Sequence, residues 1–160
     1  MGFELPPMHH VAITVEDLEA AAQFYSAAFG IRWFPARETY IEKAFWKGEH
    51  CPFRTRVLYG DMEGVKLELV QTLEGKTTDL EFLRTRGQGV SHIGYDVSDL
   101  KAALNELAQH GITPITQGEA ASGTKFAFVD MGGVYAEFVY RPQKDFAAAL
   151  RGEASPELPK

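Results

Sequence analysis

The sequence predicts an α+β fold in which two tandem βαβββ modules form a curled mixed β-sheet cup with flanking helices. Three observations predict it: an internal repeat, short strand-like runs, and one helical pattern behind the first strand of each half. The repeat aligns HHVAITVEDLEAAAQFYSAAFGI, which begins at His9, with SHIGYDVSDLKAALNELAQHGI, which begins at Ser91. Its offset of 82 (92 − 10) places His10 on His92.

A second match links the ends of the two halves. GVKLELVQ, from Gly64, aligns with GVYAEFVY, from Gly133, at an offset of 69 (137 − 68), which places Glu68 on Glu137. The first match also separates two adjacent histidines, because His9 aligns with a serine and only the next residue has a histidine counterpart. The repeat therefore selects one histidine and one glutamate from each half.

The first module is predicted to contain one helix and four strands. Residues 10–15 alternate in the manner of a half-buried strand. Asp17 or its neighbour can cap a helix whose apolar residues recur at helical spacing, and Gly30 can end it. The strand-like runs that follow are residues 31–34, 54–59 and 65–70.

The second module repeats this order. Residues 92–97 form the first strand, Ser98 or Asp99 caps the helix, and Gly111 ends it. The later strands are predicted at residues 113–116, 126–129 and 134–140. A short connector helix is predicted at residues 78–85 and an Ala-rich helix in the C-terminal tail.

The composition excludes several classes of protein. The chain has 160 residues, of which 45% are apolar and 24% are charged, as in ordinary globular domains. A net charge of −6 argues against a nucleic-acid platform. The start, MGFELPPMHHVAITV, lacks the features of a signal peptide, and no apolar run reaches the ~18 residues of a membrane span. We therefore expect a cytoplasmic protein with neither nucleic-acid nor membrane partners.

Two histidines and two glutamates occupy matching points of the repeat. If the modules pair about a pseudo-twofold axis, the four side chains meet at one point. Imidazole nitrogen and carboxylate oxygen suit Zn, Ni, Co, Mn or Fe(II), and four protein ligands leave one or two positions for water or substrate. A single His or Glu in a strand is more often structural, but recurrence in register favours a metal site. The predicted metal ligands are His10, Glu68, His92 and Glu137.

The segments HVAITVEDLEAAAQFY, LELV, GVSHIGYDVSDLKAAL and GGVYAEFVY resemble the vicinal oxygen chelate superfamily, the glyoxalase/bleomycin-resistance/dioxygenase group. The resemblance covers about residues 8–141. It implies one domain over residues 1–160, with module one at 8–72, a connector at 73–89, module two at 90–141 and a tail at 142–160. It also implies one divalent metal ion, held by the four ligands inside the sheet cup.

The resemblance implies a metal-dependent isomerase or epimerase, or a glyoxalase-type lyase, that acts through an enolate on a carbonyl or acyl-CoA substrate. The stretch LEFLRTRGQGVSHIGYDV looks most like methylmalonyl-CoA epimerase and its close relatives. Glu68 and Glu137 are the predicted catalytic acid–base groups, since a ligand glutamate serves as base in glyoxalase-like members. Some epimerases carry a further acidic residue on the preceding strand, but this chain has Thr55, Arg56 or Val57 there.

Two other functions remain open. An Fe(II)-dependent ring-cleaving dioxygenase would use His10, His92 and Glu137, but Glu68 would then fill a position that the two-His-one-carboxylate arrangement leaves open. A non-catalytic member that binds a small molecule is the other alternative. All four ligand positions are occupied here, which weighs against it.

Residues 32–56 are predicted to form a substrate lid. The segment is rich in aromatic residues and has six basic residues against three acidic ones, which suits an anionic small-molecule substrate. An ordinary solvated loop whose aromatic residues pack on the core is an equal alternative. The residues predicted to bind substrate are Trp33, Arg37, Trp46, Arg56 and Lys125. A homodimer is expected.

Overall fold

The fold is one curled ten-stranded sheet with three helices, in a computed structural model that describes residues 3–142. This confirms the predicted α+β class. The strands are β1 (Met8–Thr14), β2 (Arg37–Ile41), β3 (Lys43–Trp46), β4 (Glu49–His50), β5 (Phe53–Asp61), β6 (Lys66–Glu74), β7 (Gly89–Asp96), β8 (Thr116–Glu119), β9 (Lys125–Asp130) and β10 (Tyr135–Tyr140). The helices are α1 (Leu18–Phe29), α2 (Thr78–Arg86) and α3 (Leu100–Gln109).

The two halves meet at the middle of the sheet, within one chain. The strand order is β2-β5-β6-β1-β7-β10-β9-β8-β3-β4. The first strands of the two halves, β1 and β7, pair antiparallel, and each is flanked by the last strand of its own half in parallel. The strands that carry the predicted ligands are therefore four consecutive strands of the sheet, β6-β1-β7-β10.

The helices α1 and α3 begin at their predicted capping residues, and α3 ends at Gln109 with His110 as its C-cap rather than at the predicted Gly111. Asp17 accepts a hydrogen bond from the backbone of Ala20, and Gly30 takes the left-handed conformation that ends α1. Asp99 caps α3 in the same way. The buried side chains between α3 and the sheet include Val97, Ala103 and Phe138, which fixes the second half around its own core cluster.

Two predicted strands of the outer sheet are wrong in position. Residues 31–34 form no strand, although Trp33 makes an isolated bridge to Gly60. The first strand after α1 is β2, which begins at Arg37. Trp33 packs against α1 instead, and Pro35 has no N–H to donate to a ladder. The strand predicted at residues 113–116 begins only at Thr116.

The segment predicted to form a substrate lid belongs largely to the sheet, because most of residues 37–50 lies in β2, β3 and β4. β2 and β3 are adjacent in the chain but lie near opposite ends of the sheet order, so the chain at Glu42 crosses from one edge to the other. Ile41 and Ala44 are buried in one cluster with Phe126 of the second half. The crossing thus draws the two edges of the cup together around an interior cavity.

Within residues 3–142, no helix combines the length and the apolar character that crossing a membrane would require. The Ala-rich helix predicted for the tail lies outside the described residues.

Candidate metal centre

The four repeat-matched side chains converge at the centre of the sheet. The Nε2 atoms of His10 and His92 lie 3.0 Å apart. Glu68 Oε2 lies 3.0 Å from the first Nε2 and 3.3 Å from the second. Glu137 Oε2 lies 3.1 Å and 3.7 Å from the same two atoms. His10, His92 and Glu137 each offer a ligand atom within 4.8 Å of the others, as a three-ligand metal site requires.

Strand register explains why the four side chains meet. Ala12 pairs with both Glu68 and His92, in two neighbouring strands. Gly94 pairs with both His10 and Glu137 in the same way. Each row across the sheet therefore carries one glutamate, one small residue and one histidine, and the two rows lie side by side on one face.

Gly94 makes room for the His10 ring. A Cβ atom added at Gly94 would lie 1.9 Å from His10 Cε1 and 2.3 Å from its Nδ1. The imidazole therefore lies directly against the backbone of β7, where no other residue type fits. The sequence analysis missed this residue, although the repeat aligns it with Ala12, another small residue.

The donor set and its burial fit a divalent cation. His10, His92 and Glu68 are 1%, 2% and 5% exposed. Glu68 Oε2 is buried, and the charged groups beside it are the two imidazole rings. Three carboxylates, those of Glu68, Glu137 and Asp79, lie beside two imidazoles, and buried charges of one sign are costly unless a cation pairs with them. A divalent ion among these atoms would supply that charge.

The electrostatics of the metal-free site favour charged partners. Burial alone would lower the pKa of His10, but the charges of Glu68 and Glu137 outweigh it and raise that pKa. Burial also opposes charge on His92, yet Asp79 and Glu68 raise its pKa well above the usual value. Burial would raise the pKa of Glu68, but the two histidines lower it. Without a metal, protons on the two imidazole rings therefore supply part of the positive charge that the carboxylates need.

We expect added metal to stabilise the protein more as the pH rises. The raised pKa values of His10 and His92 give the metal-free protein stability that is fully present below about pH 6.5 and is lost as the pH rises through the folded-state values. Metal binds the deprotonated rings, so its effect grows over the same interval. Thermal unfolding with chelator or with zinc, at about pH 6 and about pH 8, measures this. A zinc-induced shift that shrinks with pH would contradict it.

Asp79 and Tyr59 are two site residues that the sequence analysis missed. Asp79, in the first turn of α2, is 4% exposed and lies 2.8 Å from His92 Nδ1. Tyr59 pairs with Glu68 across β5 and β6, and its ring packs edge-on against His10. Burial and the charges of Glu68 and Glu137 raise the pKa of Tyr59 well above its usual value, so it remains a phenol.

A cavity of about 290 Å³ opens onto three of the four side chains. Its walls come from both halves and include the predicted ligands Glu68, His92 and Glu137. Two arginines also line it, Arg37 on β2 and Arg141 just beyond β10. The remaining polar lining is mostly hydroxyl groups: Thr39, Thr55, Tyr59, Thr77, Thr116, Ser122 and Thr124.

Of the five predicted substrate-binding residues, only Arg37 lines this cavity. Trp33 donates through Nε1 to the Ala22 carbonyl and so packs on α1. Arg56 forms an ion pair with Glu19 on α1. The two others, Trp46 and Lys125, are not part of the lining, and Lys125 borders a separate surface groove.

Comparison with known proteins gives a family match. The model of the Glyoxalase/Bleomycin resistance protein/Dioxygenase superfamily matches residues 9–128. YqjC of Bacillus subtilis, an uncharacterized protein, is 27% identical over 124 residues, which is 76% of this chain and 81% of that protein. The mitochondrial methylmalonyl-CoA epimerase of Homo sapiens is 28% identical over 141 residues, covering 84% of this chain and 74% of that one.

Solved structures share the fold. A methylmalonyl-CoA epimerase variant from Streptomyces coelicolor, in complex with 2-nitronate-propionyl-CoA, superposes with a TM-score of 0.61 at 21% identity. The match covers 87% of this chain and 99% of that chain. At this identity the likeness establishes the architecture of the sheet and its helices.

Proposed function

The chain belongs to the Glyoxalase/Bleomycin resistance protein/Dioxygenase superfamily, and from this premise we propose that it is a metal-dependent enzyme that moves a proton at the carbon beside a carbonyl group. The observation that carries the proposal is the convergence of His10, Glu68, His92 and Glu137, of which the last three line an open cavity. The two histidines and two glutamates would hold one Zn, Ni, Co, Mn or Fe ion. Such an ion supplies Lewis-acid stabilisation of negative charge on a carbonyl oxygen.

Glu137 is the better placed of the two glutamates to remove the proton. Both glutamates border the cavity, but the Glu137 side chain is 17% exposed, against 6% for Glu68. In the proposed reaction the Glu137 carboxylate takes the proton from the substrate carbon, and the C–H electron pair moves toward the carbonyl group. If Glu68 takes up a proton from solvent and donates it to the opposite face of the carbon, the configuration inverts. If Glu137 returns the same proton to a neighbouring carbon, the outcome is an isomerisation of the glyoxalase type.

The relatives and an arginine of the cavity lining support an anionic thioester substrate. Methylmalonyl-CoA epimerases are named among the relatives, and one solved structure holds an acyl-CoA analogue. Arg37 lines the cavity, and neither an ion pair nor a hydrogen bond of its guanidinium is found within residues 3–142. A carboxylate or phosphate of the substrate would supply that partner.

Solvent exchange of the substrate proton tests the proposal. The protein is loaded with Zn, Co, Ni or Mn and incubated in deuterated buffer with methylmalonyl-CoA, or with the hemithioacetal of methylglyoxal and glutathione. We expect metal-dependent deuterium incorporation, seen by proton NMR and stopped by chelator. Inversion of methylmalonyl-CoA indicates an epimerase, and lactoylglutathione indicates a lyase. If methylmalonyl-CoA shows no exchange and the hemithioacetal gives neither exchange nor lactoylglutathione with any of the metals, the proposal is overturned.

An Fe(II) dioxygenase is the second candidate, because His10, His92 and Glu137 alone form a two-His-one-carboxylate group. The proximity of Glu68 Oε2 to both Nε2 atoms weighs against it. Oxygen uptake with catechols by the Fe(II)-loaded protein would reverse the ranking.

Arg37→Gln is expected to raise the KM for methylmalonyl-CoA by about 10-fold or more, since a charge-assisted hydrogen bond contributes about 1.5–3 kcal/mol. The kcat should change little, because the arginine is placed to bind substrate rather than to move the proton. Steady-state epimerisation measures both constants. Arg32→Gln is the matched control, an exposed arginine outside the cavity lining. Equal KM values for the two variants would contradict the role of Arg37.

A further inference from the structure

Asp79 lies behind one of the two histidines, on the side away from the other three predicted ligands. We propose that Asp79 is a positioning residue, which orients His92 and fixes the tautomer that presents Nε2 to the metal. The inference rests on the proposed metal site. It assigns a role to a residue outside both copies of the repeat, in the helix that joins the two modules.

The contacts of the Asp79 carboxylate are short and buried. Its Oδ1 atom lies 2.8 Å from His92 Nδ1 and accepts a hydrogen bond of 2.6 Å from Ser91 Oγ. Asp79, Ser91 and His92 are 4%, 0% and 2% exposed. Water is thus kept from the contact, and the two donors hold the carboxylate in one orientation.

The chemistry of this contact decides the state of the imidazole. An ionised carboxylate only accepts hydrogen bonds, so His92 Nδ1 carries the proton and donates it. In the neutral ring, Nε2 then has its lone pair free, directed toward the two glutamates. A carboxylate in this position also makes the ring a stronger ligand, and such partners typically raise metal affinity about 10- to 100-fold.

The two histidines differ in this respect. His10 Nδ1 lies 2.8 Å from His9 Nδ1, its sequence neighbour. The repeat places Ser91 where the first module has His9, and Ser91 reaches the second histidine through Asp79. The site is therefore symmetric in its predicted ligands but asymmetric in what supports them, and α2 is the source of the asymmetry.

A role of Asp79 in forming α2 does not explain its carboxylate contacts. Thr77 caps this helix, since its hydroxyl accepts a hydrogen bond from Leu80 N at 3.0 Å. Asp79 holds the helix to β1 through its backbone carbonyl, which accepts from Thr14 Oγ1 at 3.2 Å. Both contacts survive a change of the Asp79 side chain, so an Asn at this position is compatible with the fold.

Metal titration of the Asp79→Asn protein tests the inference. The affinities of the metal-free full-length chains for Zn and Co(II) are measured at fixed pH by competition with a chromophoric chelator. The visible spectrum of the Co(II) form and the thermal unfolding of the metal-free form are recorded beside them. Asp99→Asn is the matched control, because Asp99 is an exposed capping aspartate of α3. Ser91→Ala is a second variant, which keeps the carboxylate but removes one of its donors.

We expect Asp79→Asn to fold when metal-free but to unfold at a lower temperature than wild type, because its charged contact with His92 is lost, to bind Zn about 10- to 100-fold more weakly, and to show an altered Co(II) spectrum. The Asp99→Asn protein should match wild type in all three. Wild-type affinity and spectrum in Asp79→Asn would overturn the inference while leaving the proposed function standing. If neither wild type nor variant binds metal, both fail. If Asp79→Asn does not fold, Ser91→Ala decides: weaker Zn binding supports the inference and wild-type affinity overturns it.

Discussion

Gly94→Ala is expected to abolish metal binding at the site. The new methyl group would occupy the place of the His10 ring, 1.9 Å from its Cε1 atom, so the imidazole must leave the cluster. Loss of a ligand costs more than loss of a supporting residue, so we expect Zn affinity to fall by more than about 100-fold. Overpacking should also lower the free energy of unfolding by about 1–3 kcal/mol. Zn titration and thermal unfolding of the metal-free protein measure the two effects.

Gly89→Ala, on the same strand, is the matched control. Its added Cβ would lie 3.6 Å from Phe82 Cε1, an ordinary contact, and neither glycine has a positive φ that a side chain would strain. We expect this variant to keep the wild-type affinity for Zn. Comparable Zn affinities for the two variants would show that His10 is not held against Gly94 when metal is bound.

Glu137→Gln is expected to slow exchange of the substrate proton by about 10²- to 10⁴-fold, because an amide cannot accept the proton as a carboxylate does. Metal binding should weaken much less, since the amide oxygen remains a possible ligand. The rate is measured by deuterium incorporation at saturating metal. Glu74→Gln, an exposed glutamate at the end of β6, is the control for the same chemical change. An exchange rate within about 10-fold of wild type would remove Glu137 from the role of base.

Glu68→Gln distinguishes the role of Glu68 from that of Glu137. If Glu68 returns the proton on the opposite face, this variant loses inversion of configuration but keeps deuterium exchange of the enantiomer on which Glu137 acts. Chiral analysis of the labelled thioester distinguishes these results. Equal loss of exchange and inversion would instead place both carboxylates in one step.

The repeat made the centre of the fold predictable from the sequence. Matched positions on the first strands of two modules come together when those strands pair, as β1 and β7 do, so the repeat alone suggested that His10 and His92 meet. The helices could also be predicted from the sequence, because their periodicity and caps are local signals. Whether the four residues bind metal stays a prediction.

The outer strands and the supporting residues could not be predicted in the same way. β3 pairs with β8 of the other half, and nothing within Lys43–Trp46 specifies so distant a partner. Trp33 was predicted to contact substrate because the sequence does not distinguish an aromatic residue that packs on a helix from one that lines a binding site. Asp79 lies in the connector and has no repeat counterpart, so only the three-dimensional structure brings it to His92.

A crystal structure of the Zn- or Co-loaded protein, with anomalous scattering recorded at the metal edge, would locate the bound ion. We expect one ion per chain, bonded to Nε2 of His10, Nε2 of His92 and carboxylate oxygens of Glu68 and Glu137, with an open position facing the cavity. An anomalous peak at another place, or none at these four side chains in a fully loaded protein, would contradict it.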